Sequence, residues 1–205
     1  MTINELWTER ILSGGADFVR FVDATSFSDA ETDGLPCAVL FGKALSGEYL
    51  RAMRDDLPPK TKEVLNVERK MDALAMKIAE ALENAGYRAL GKLKTGRFPH
   101  KTVALRAGLG FIGKNNLLIT PEYGCGVMLG KVLTDAPFEA SYTDPPVPDC
   151  GDCAICAEVC PTGAILGTTW NPSLTREDIM NRKRCVLCLK CMTKCPYTQK
   201  RIQSP

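Results

Sequence analysis

Two copies of one cysteine motif constrain the fold of this 205-residue chain more than any other feature. Eight of the ten cysteines lie between residues 150 and 195. Each copy has the spacing C-x2-C-x2-C-x3-C-P, formed by Cys150, Cys153, Cys156, Cys160 and Pro161 and then by Cys185, Cys188, Cys191, Cys195 and Pro196. The N-terminal residues MTINELWTERILSGG do not form a signal peptide, so we do not expect the disulfides of a secreted protein. The repeated spacing instead predicts a small metal-dependent module.

This spacing is typical of proteins that bind two 4Fe-4S clusters. Three closely spaced cysteines bind one cluster, while the cysteine before proline usually serves the other cluster. We therefore predict two ligand sets: Cys150, Cys153, Cys156 and Cys195 for cluster 1, and Cys185, Cys188, Cys191 and Cys160 for cluster 2. Zinc is an alternative, although its four-cysteine sites usually consist of two separated pairs. A second alternative is that the clusters are purely structural; adjacent clusters otherwise conduct single electrons.

Charge and hydropathy limit the partners. The net charge of +2 does not require a nucleic-acid or membrane partner, and no apolar run has membrane-spanning length. We expect a cytoplasmic protein with no membrane partner. Basic residues surround the second motif, with no acid after Asp178: Arg182, Lys183, Arg184, Lys190, Lys194, Lys200 and Arg201. Such cations favour a reduced cluster, although a solvated basic tail explains them equally well.

The residues before the cysteine motifs alternate between helix and strand patterns. Thr2 and Glu5 have capping-box spacing at the start of an amphipathic helix that stops at Gly14. A second helical period runs from Lys60 to Ala85. Short apolar, β-prone runs predict strands at 17–24, 37–42, 116–120 and 126–134.

The predicted fold class is α+β, in three parts. Residues 1–141 form an α/β sandwich that binds cofactor or substrate, and residues 150–205 form a two-cluster module like that of bacterial ferredoxins. Between them, residues 142–149 contain three prolines and predict an extended connector.

The segment GLGFIGKN, residues 108–115, partly matches two nucleotide-binding patterns. Gly108, Gly110 and Gly113 fit G-x-G-x-x-G, but that pattern requires a strand before it and a helix after it. Here KTVALRA precedes and NNLLIT follows, which is close to the reverse order. A phosphate loop requires Ser or Thr where Asn115 stands. Neither pattern predicts a nucleotide site.

The sequence around these glycines is basic. No carboxylate lies between Glu83 and Glu122, whereas the single histidine, His100, lies there together with Arg88, Lys92, Lys94, Arg97, Lys101, Arg106 and Lys114. This composition suits an anionic ligand, and glycines let a bulky planar group approach the backbone. A cationic surface helix followed by a glycine turn is the alternative.

The run RAGLGFIGKNNLLITPEYG, followed by LGKVLTD and the double cysteine motif, resembles the epoxyqueuosine reductases and their cobalamin-dependent relatives, the reductive dehalogenases. The resemblance implies a nitroreductase-like α/β domain that binds cobalamin at an A-G-L-G-x-x-G-K-N segment, ahead of two 4Fe-4S clusters that supply electrons to cobalt. Ala107 and Leu109 match that segment. The cofactor-binding residues that the resemblance implies are Gly108, Gly110, Gly113, Lys114 and Asn115.

The chain departs from this family in three ways. The family has a catalytic Asp, then Pro and Glu, upstream of the glycines, but the stretch LKTGRFPHK contains no acid. His100 and Tyr123 are the candidate proton donors, with a structural histidine and a turn tyrosine as the alternatives. The chain stops ten residues after Cys195, where the family continues into helical repeats, so we expect no tRNA-binding surface and no tRNA partner. The second cysteine motif is also more regular than the family's.

These observations favour an iron-sulfur oxidoreductase of unknown substrate that passes single electrons to a corrinoid. One alternative is a non-catalytic electron-transfer protein that docks a partner redox or corrinoid protein. A flavin in place of the corrinoid is the third possibility. In each case we expect a low-potential electron donor of the ferredoxin or flavodoxin type. The two cysteines outside the motifs, Cys37 and Cys125, are predicted to be free buried thiols.

Overall fold

The structure, a computed structural model, describes residues 1–54, 61–91, 99–144 and 146–203, and all their side chains except those of residues 61 and 62. The helices are α1 (Ile3–Ser13), α2 (Asp29–Thr32), α3 (Gly47–Arg54), α4 (Thr61–Asn84), α5 (His100–Arg106), α6 (Ile155–Glu158), α7 (Lys190–Thr193) and α8 (Pro196–Gln203). The strands are β1 (Phe18–Asp23), β2 (Cys37–Ala44), β3 (Ala89–Leu90), β4 (Phe111–Ile112), β5 (Leu118–Ile119) and β6 (Val127–Thr134). The chain forms two compact units.

The first unit comprises Met1–Ala44, Val64–Leu109 and Met128–Pro145. Its four-stranded sheet has the order β1-β2-β6-β3, and β1 pairs antiparallel with β2 from Phe18 opposite Gly42 to Asp23 opposite Cys37. Strand β2 confirms the strand predicted at 37–42, and all of these residues are buried.

The core of the first unit packs two helices against the sheet. Helix α1 contributes Trp7 and Ile11, α4 contributes Met71 and Leu82, and β2 contributes Phe41, all among its buried residues. Burying such apolar side chains stabilises the fold by roughly 1.5–3 kcal/mol each.

The predicted capping box at the start of α1 is confirmed. Thr2 Oγ1 accepts from the Glu5 backbone N–H at 3.2 Å, and Glu5 Oε2 accepts from the Thr2 backbone N–H at 2.7 Å. The predicted long helix is confirmed as α4, although Lys60, its predicted first residue, lies outside the described residues.

The second unit comprises Leu45–Glu63, Gly110–Val127 and Pro146–Pro205. It contains the β4–β5 hairpin, a short 3-10 helix at Arg182–Arg184, and helices α3, α6, α7 and α8. Helix α3 is bound to the C-terminal helix by Arg51, whose Nη1 donates to the Ile202 carbonyl at 3.2 Å. In return, Arg201 Nη2 donates to the Leu45 carbonyl at 2.9 Å.

Each compact unit is discontinuous in sequence, and the predicted linear division at residues 141 and 150 stays a prediction. Helix α3 contacts α7 and α8, and the segment 110–127 reaches α8 through the hydrogen bond from the Cys125 N–H to Thr198 Oγ1. Residues 142–144 and 146–149 contain no helix and no strand element, and their role as a connector stays a prediction. None of the helices in the described ranges is both long and apolar enough to span a membrane.

Candidate metal centre

Four cysteines from both motifs line one cavity of about 250 Å3 in the second unit. Cys150, Cys153 and Cys156 come from the first motif, and Cys195 comes from the second. This is the set that the spacing predicts for cluster 1. Other lining residues are Lys114, Asn115, Asp149, Tyr197 and Lys200.

The position of Cys195 follows from the proline after it. Pro196 begins α8, and proline suits a first helical position because its backbone φ is already helical and it has no N–H to satisfy. Cys195 therefore stands where a capping residue stands, and its sulfur faces the free N–H groups of the first turn. A hydrogen bond from the Cys125 thiol lowers the pKa of Cys195, burial raises it, and the Tyr197 and Thr198 backbone N–H groups lower it further.

In the other predicted ligand set, Cys191 lies near cysteines of both motifs. Burial raises the pKa of Cys191 to about 12, and the charges of Cys156, Cys188, Cys185 and Cys160 raise it too, in that order. The third cysteine of each motif lies in a one-turn helix, Cys156 in α6 and Cys191 in α7, and these two helices contact each other. Cys160, from the first motif, thus lies within electrostatic range of the second motif.

The ligand chemistry suits an iron-sulfur cluster. Thiolates are the ligating form, and cluster binding must release the protons of buried thiols such as Cys156, whose pKa burial raises to about 11. Among the described residues no group of three or more His, Cys, Asp or Glu is arranged to hold a single metal ion. A 4Fe-4S cluster takes four thiolate ligands, and four cysteines line this cavity.

Lys114 and Asn115, predicted to bind a cofactor, contact the cysteine loops. Lys114 Nζ donates to the carbonyl of Gly151, between the first two cysteines, at 2.7 Å. Asn115 Nδ2 donates to the Cys191 carbonyl at 3.1 Å and to Cys125 Sγ at 3.4 Å. Both residues lie at the turn of the β4–β5 hairpin, in the same compact unit as the motifs. The hairpin turn therefore supports loops of both cysteine motifs.

The glycines of GLGFIGKN are explained by packing within the protein. A Cβ at Gly110 would stand 2.0 Å from the Ile119 carbonyl oxygen, and one at Gly113 would stand 2.4 Å from Ile119 Cδ1. Gly108 has φ +61°, and its Cβ would lie 2.5 Å from Thr143 Cγ2. Neighbouring protein atoms thus fill the Cβ side of these glycines, and the role of the glycines in cofactor binding stays a prediction. The nucleotide patterns are also excluded by context, because α5 precedes the glycines and β5 follows them.

Two basic side chains between Glu83 and Glu122, those of Arg106 and Arg88, make contacts within the protein. Arg106, the last residue of α5, places its guanidinium 4.9 Å from the Phe27 ring centre and 4.7 Å from that of Tyr142. Arg88 Nη2 donates to the Asp33 carbonyl at 3.1 Å. Lys92, Lys94 and Arg97 lie outside the described residues. The described part of the stretch therefore shows intramolecular contacts of basic side chains.

The two candidate proton donors lie in different elements. His100 is the first residue of α5. Tyr123 lies in a turn, as its neighbours Pro121 and Gly124 suggested: its N–H donates to Thr120 Oγ1 at 2.9 Å, and the Arg201 guanidinium lies 5.4 Å from its ring centre. Their catalytic roles stay predictions.

Sequence reasoning missed a polar pair in the wall of the cysteine cavity. Tyr197 O–H donates to Asp149 Oδ2 at 2.6 Å. This hydrogen bond is the main reason, and burial the second, why the pKa of Tyr197 is raised to about 12. The two residues are 48 positions apart, so no local pattern indicates their contact. Cys125 was correctly predicted to be buried, but its contact with Cys195 was not predicted.

Comparison with known proteins supports the sequence resemblance. The chain is 42% identical over 120 residues to an epoxyqueuosine reductase from Listeria monocytogenes, covering 51% of this chain and 31% of that protein. In fold it is similar to a solved epoxyqueuosine reductase from Streptococcus thermophilus, with a TM-score of 0.67 at 21% identity, over 97% of this chain and 67% of that one.

A solved reductive dehalogenase, whose structure suggests a mechanism for B12-dependent dehalogenation, is also similar in fold. Its TM-score is 0.60 at 21% identity, over 73% of this chain and 23% of that one. No protein-family model matches the chain. The chain spans about a third of the length of the curated relatives that it matches. Over that part, the chain is a homologue of the epoxyqueuosine reductases, which confirms the resemblance seen in the sequence.

Proposed function

We propose that this protein is an iron-sulfur reductase with two 4Fe-4S clusters in a ferredoxin-like arrangement. The observation that carries the proposal is the cavity lined by three cysteines of the first motif and by Cys195 of the second. Such clusters take up and release one electron at a time. Cys150, Cys153, Cys156 and Cys195 hold the first cluster, and Cys185, Cys188, Cys191 and Cys160 hold the second.

The surrounding residues position these ligands. Lys114 fixes the loop between Cys150 and Cys153 through the Gly151 carbonyl, and its charge offsets that of the thiolates. Asn115 fixes Cys191 through its carbonyl oxygen. Cys125 and the first-turn N–H groups of α8 donate to Cys195, and hydrogen bonds to ligand sulfur favour the reduced state.

The electron acceptor in this proposal is a corrinoid bound at the GLGFIGKN segment. Homology to the epoxyqueuosine reductases and the likeness of fold to a dehalogenase described as B12-dependent support it. The implied binding residues are Gly108, Gly110, Gly113, Lys114 and Asn115, with a flavin as the weaker alternative. The substrate is a further reducible molecule, for which His100 or Tyr123 would supply the proton.

One observation favours a second candidate, a non-catalytic electron-transfer protein. Lys114 and Asn115 direct their polar groups to the cysteine loops, so the structure gives them a role that needs no bound corrinoid. In this case the clusters would exchange electrons with a partner redox or corrinoid protein.

Anaerobic reconstitution of the full chain tests the proposal. We expect about eight irons and eight sulfides per chain, since each of the two cubanes contains four of each. Cys195→Ser should disrupt the signal of one cluster and Cys160→Ser that of the other in electron paramagnetic resonance. Cys37→Ser is the matched control, because Cys37 is a buried cysteine of the first unit. Four irons, or stoichiometric zinc, would contradict the proposal.

Titration with cobalamin separates the two candidate functions. A spectral change on binding supports the reductase, whereas reconstituted protein that exchanges electrons without binding cobalamin or flavin supports the electron-transfer protein. Binding of flavin alone would favour the flavin alternative.

A further inference from the structure

Two aliphatic side chains are exposed inside the second cysteine motif. Val186 and Leu187, between Cys185 and Cys188, are 62% and 70% exposed. Leu187 also has φ +53°, a left-handed backbone conformation that costs roughly 1–2 kcal/mol for a residue with a side chain. The loop therefore holds an apolar residue in solvent at an energetic cost, which is the pattern of a contact surface.

Cations border this apolar pair. Arg182, Lys183 and Arg184 form the 3-10 helix that leads into Cys185, and all three residues are exposed. The Arg184 guanidinium lies over Gly163, with Nη2 3.3 Å from where a Cβ would stand, and so borders the turn after Cys160. Residues 182–187, here called the 182–187 surface, thus join positive charge and exposed aliphatic groups beside the predicted ligands of cluster 2.

We propose that the 182–187 surface docks an acidic, low-potential electron-carrier protein that delivers electrons to the second ligand set. The inference rests on the proposed iron-sulfur function. It adds the electron donor and the surface at which electrons enter the protein. In the transfer the reduced carrier loses one electron, the cluster held by Cys185, Cys188, Cys191 and Cys160 gains it, and no bond is made or broken.

Charge complementarity selects this occupant. Acidic groups on the carrier would meet the three cations of the 3-10 helix and speed the encounter, an effect that falls with ionic strength. Val186 and Leu187 would form the dry centre of the contact, where charged residues are usually depleted. RNA is the other polyanion that cations attract, but phosphate contacts give no role to two exposed aliphatic side chains.

The test is stopped-flow reduction of the reconstituted full chain by a reduced acidic ferredoxin. Arg182→Glu combined with Lys183→Glu should lower the second-order rate constant by about tenfold or more at low salt, because steering by opposite charge accounts for about 10- to 1000-fold. The deficit should shrink at high salt. Arg69→Glu combined with Lys70→Glu is the matched control, since both residues are exposed on α4 in the first unit.

Val186→Ser combined with Leu187→Ser should lower the rate at every salt concentration, because it removes apolar contact without changing charge. Iron content and reduction by dithionite should equal those of wild type in every variant. If wild type contains no iron-sulfur cluster, the proposed function itself is overturned. If the variants contain clusters and ferredoxin reduces all of them at the wild-type rate, only the docking inference is overturned. It is also overturned if the charge reversal leaves ferredoxin reduction unchanged but abolishes binding to tRNA.

Discussion

Gly110→Ala should destabilise the second unit through a clash between two backbones. Gly110 lies directly before β4, and an added Cβ would stand 2.0 Å from the Ile119 oxygen and 2.8 Å from the Ile119 carbonyl carbon. Ile119 cannot move freely because it is paired with Phe111. Forcing an extra carbon into such a place costs about 1–3 kcal/mol, and we expect the upper value, since no flexible side chain can yield.

A loss of this size is measurable by thermal unfolding. In a chain of this length each kcal/mol lowers the Tm by about 2–4 °C, so Gly110→Ala should lower it by about 6–12 °C. Gly86→Ala is the control: Gly86 has φ +92° and no atom within 4 Å of its Cβ position, so alanine adds only backbone strain of about 1–2 kcal/mol. If Gly110→Ala unfolds at the wild-type temperature, or loses cobalamin binding while remaining as stable as wild type, the packing explanation of this glycine is refuted.

Two further predictions concern the redox centre and the substrate. Cys125→Ala should shift the midpoint potential of the cluster at Cys195 to a more negative value, because it removes a hydrogen-bond donor to that sulfur. Cys125→Ser keeps a donor and should restore the wild-type potential. A redox titration monitored by electron paramagnetic resonance measures both, and an unchanged potential in the alanine variant would contradict the prediction. We also expect that reduced, cobalamin-loaded protein does not convert epoxyqueuosine to queuosine in tRNA. No acid lies between Glu83 and Glu122 to replace the family's catalytic Asp. Formation of queuosine would show this prediction to be wrong.

Local patterns in the sequence predicted local structure well. Thr2 and Glu5 are three residues apart and bond to each other, and the apolar period of α4 is visible along one helix. The four cysteines that the spacing assigns to cluster 1 line one cavity, and their role as ligands stays a prediction. In contrast, Lys114 bonds to a carbonyl 37 residues away, and no periodicity records such a contact. For the glycines of GLGFIGKN, sequence alone does not show which backbone passes beside them, and their role in cofactor binding stays a prediction.

The Asn115 side chain has consequences for moving the cysteine motifs into another protein. Its amide group reaches Cys125 and the Cys191 carbonyl, while its Oδ1 accepts from the Leu117 N–H at 3.1 Å within its own turn. A fragment consisting of residues 150–205 would contain all eight motif cysteines. It would lack the hydrogen bond from Asn115 to the Cys191 carbonyl and the one from Lys114 to the Gly151 carbonyl. The cysteine motifs and the residues that support them are therefore interleaved along the polypeptide, and gene fusion or domain shuffling would have to carry residues 110–127 together with the cysteines.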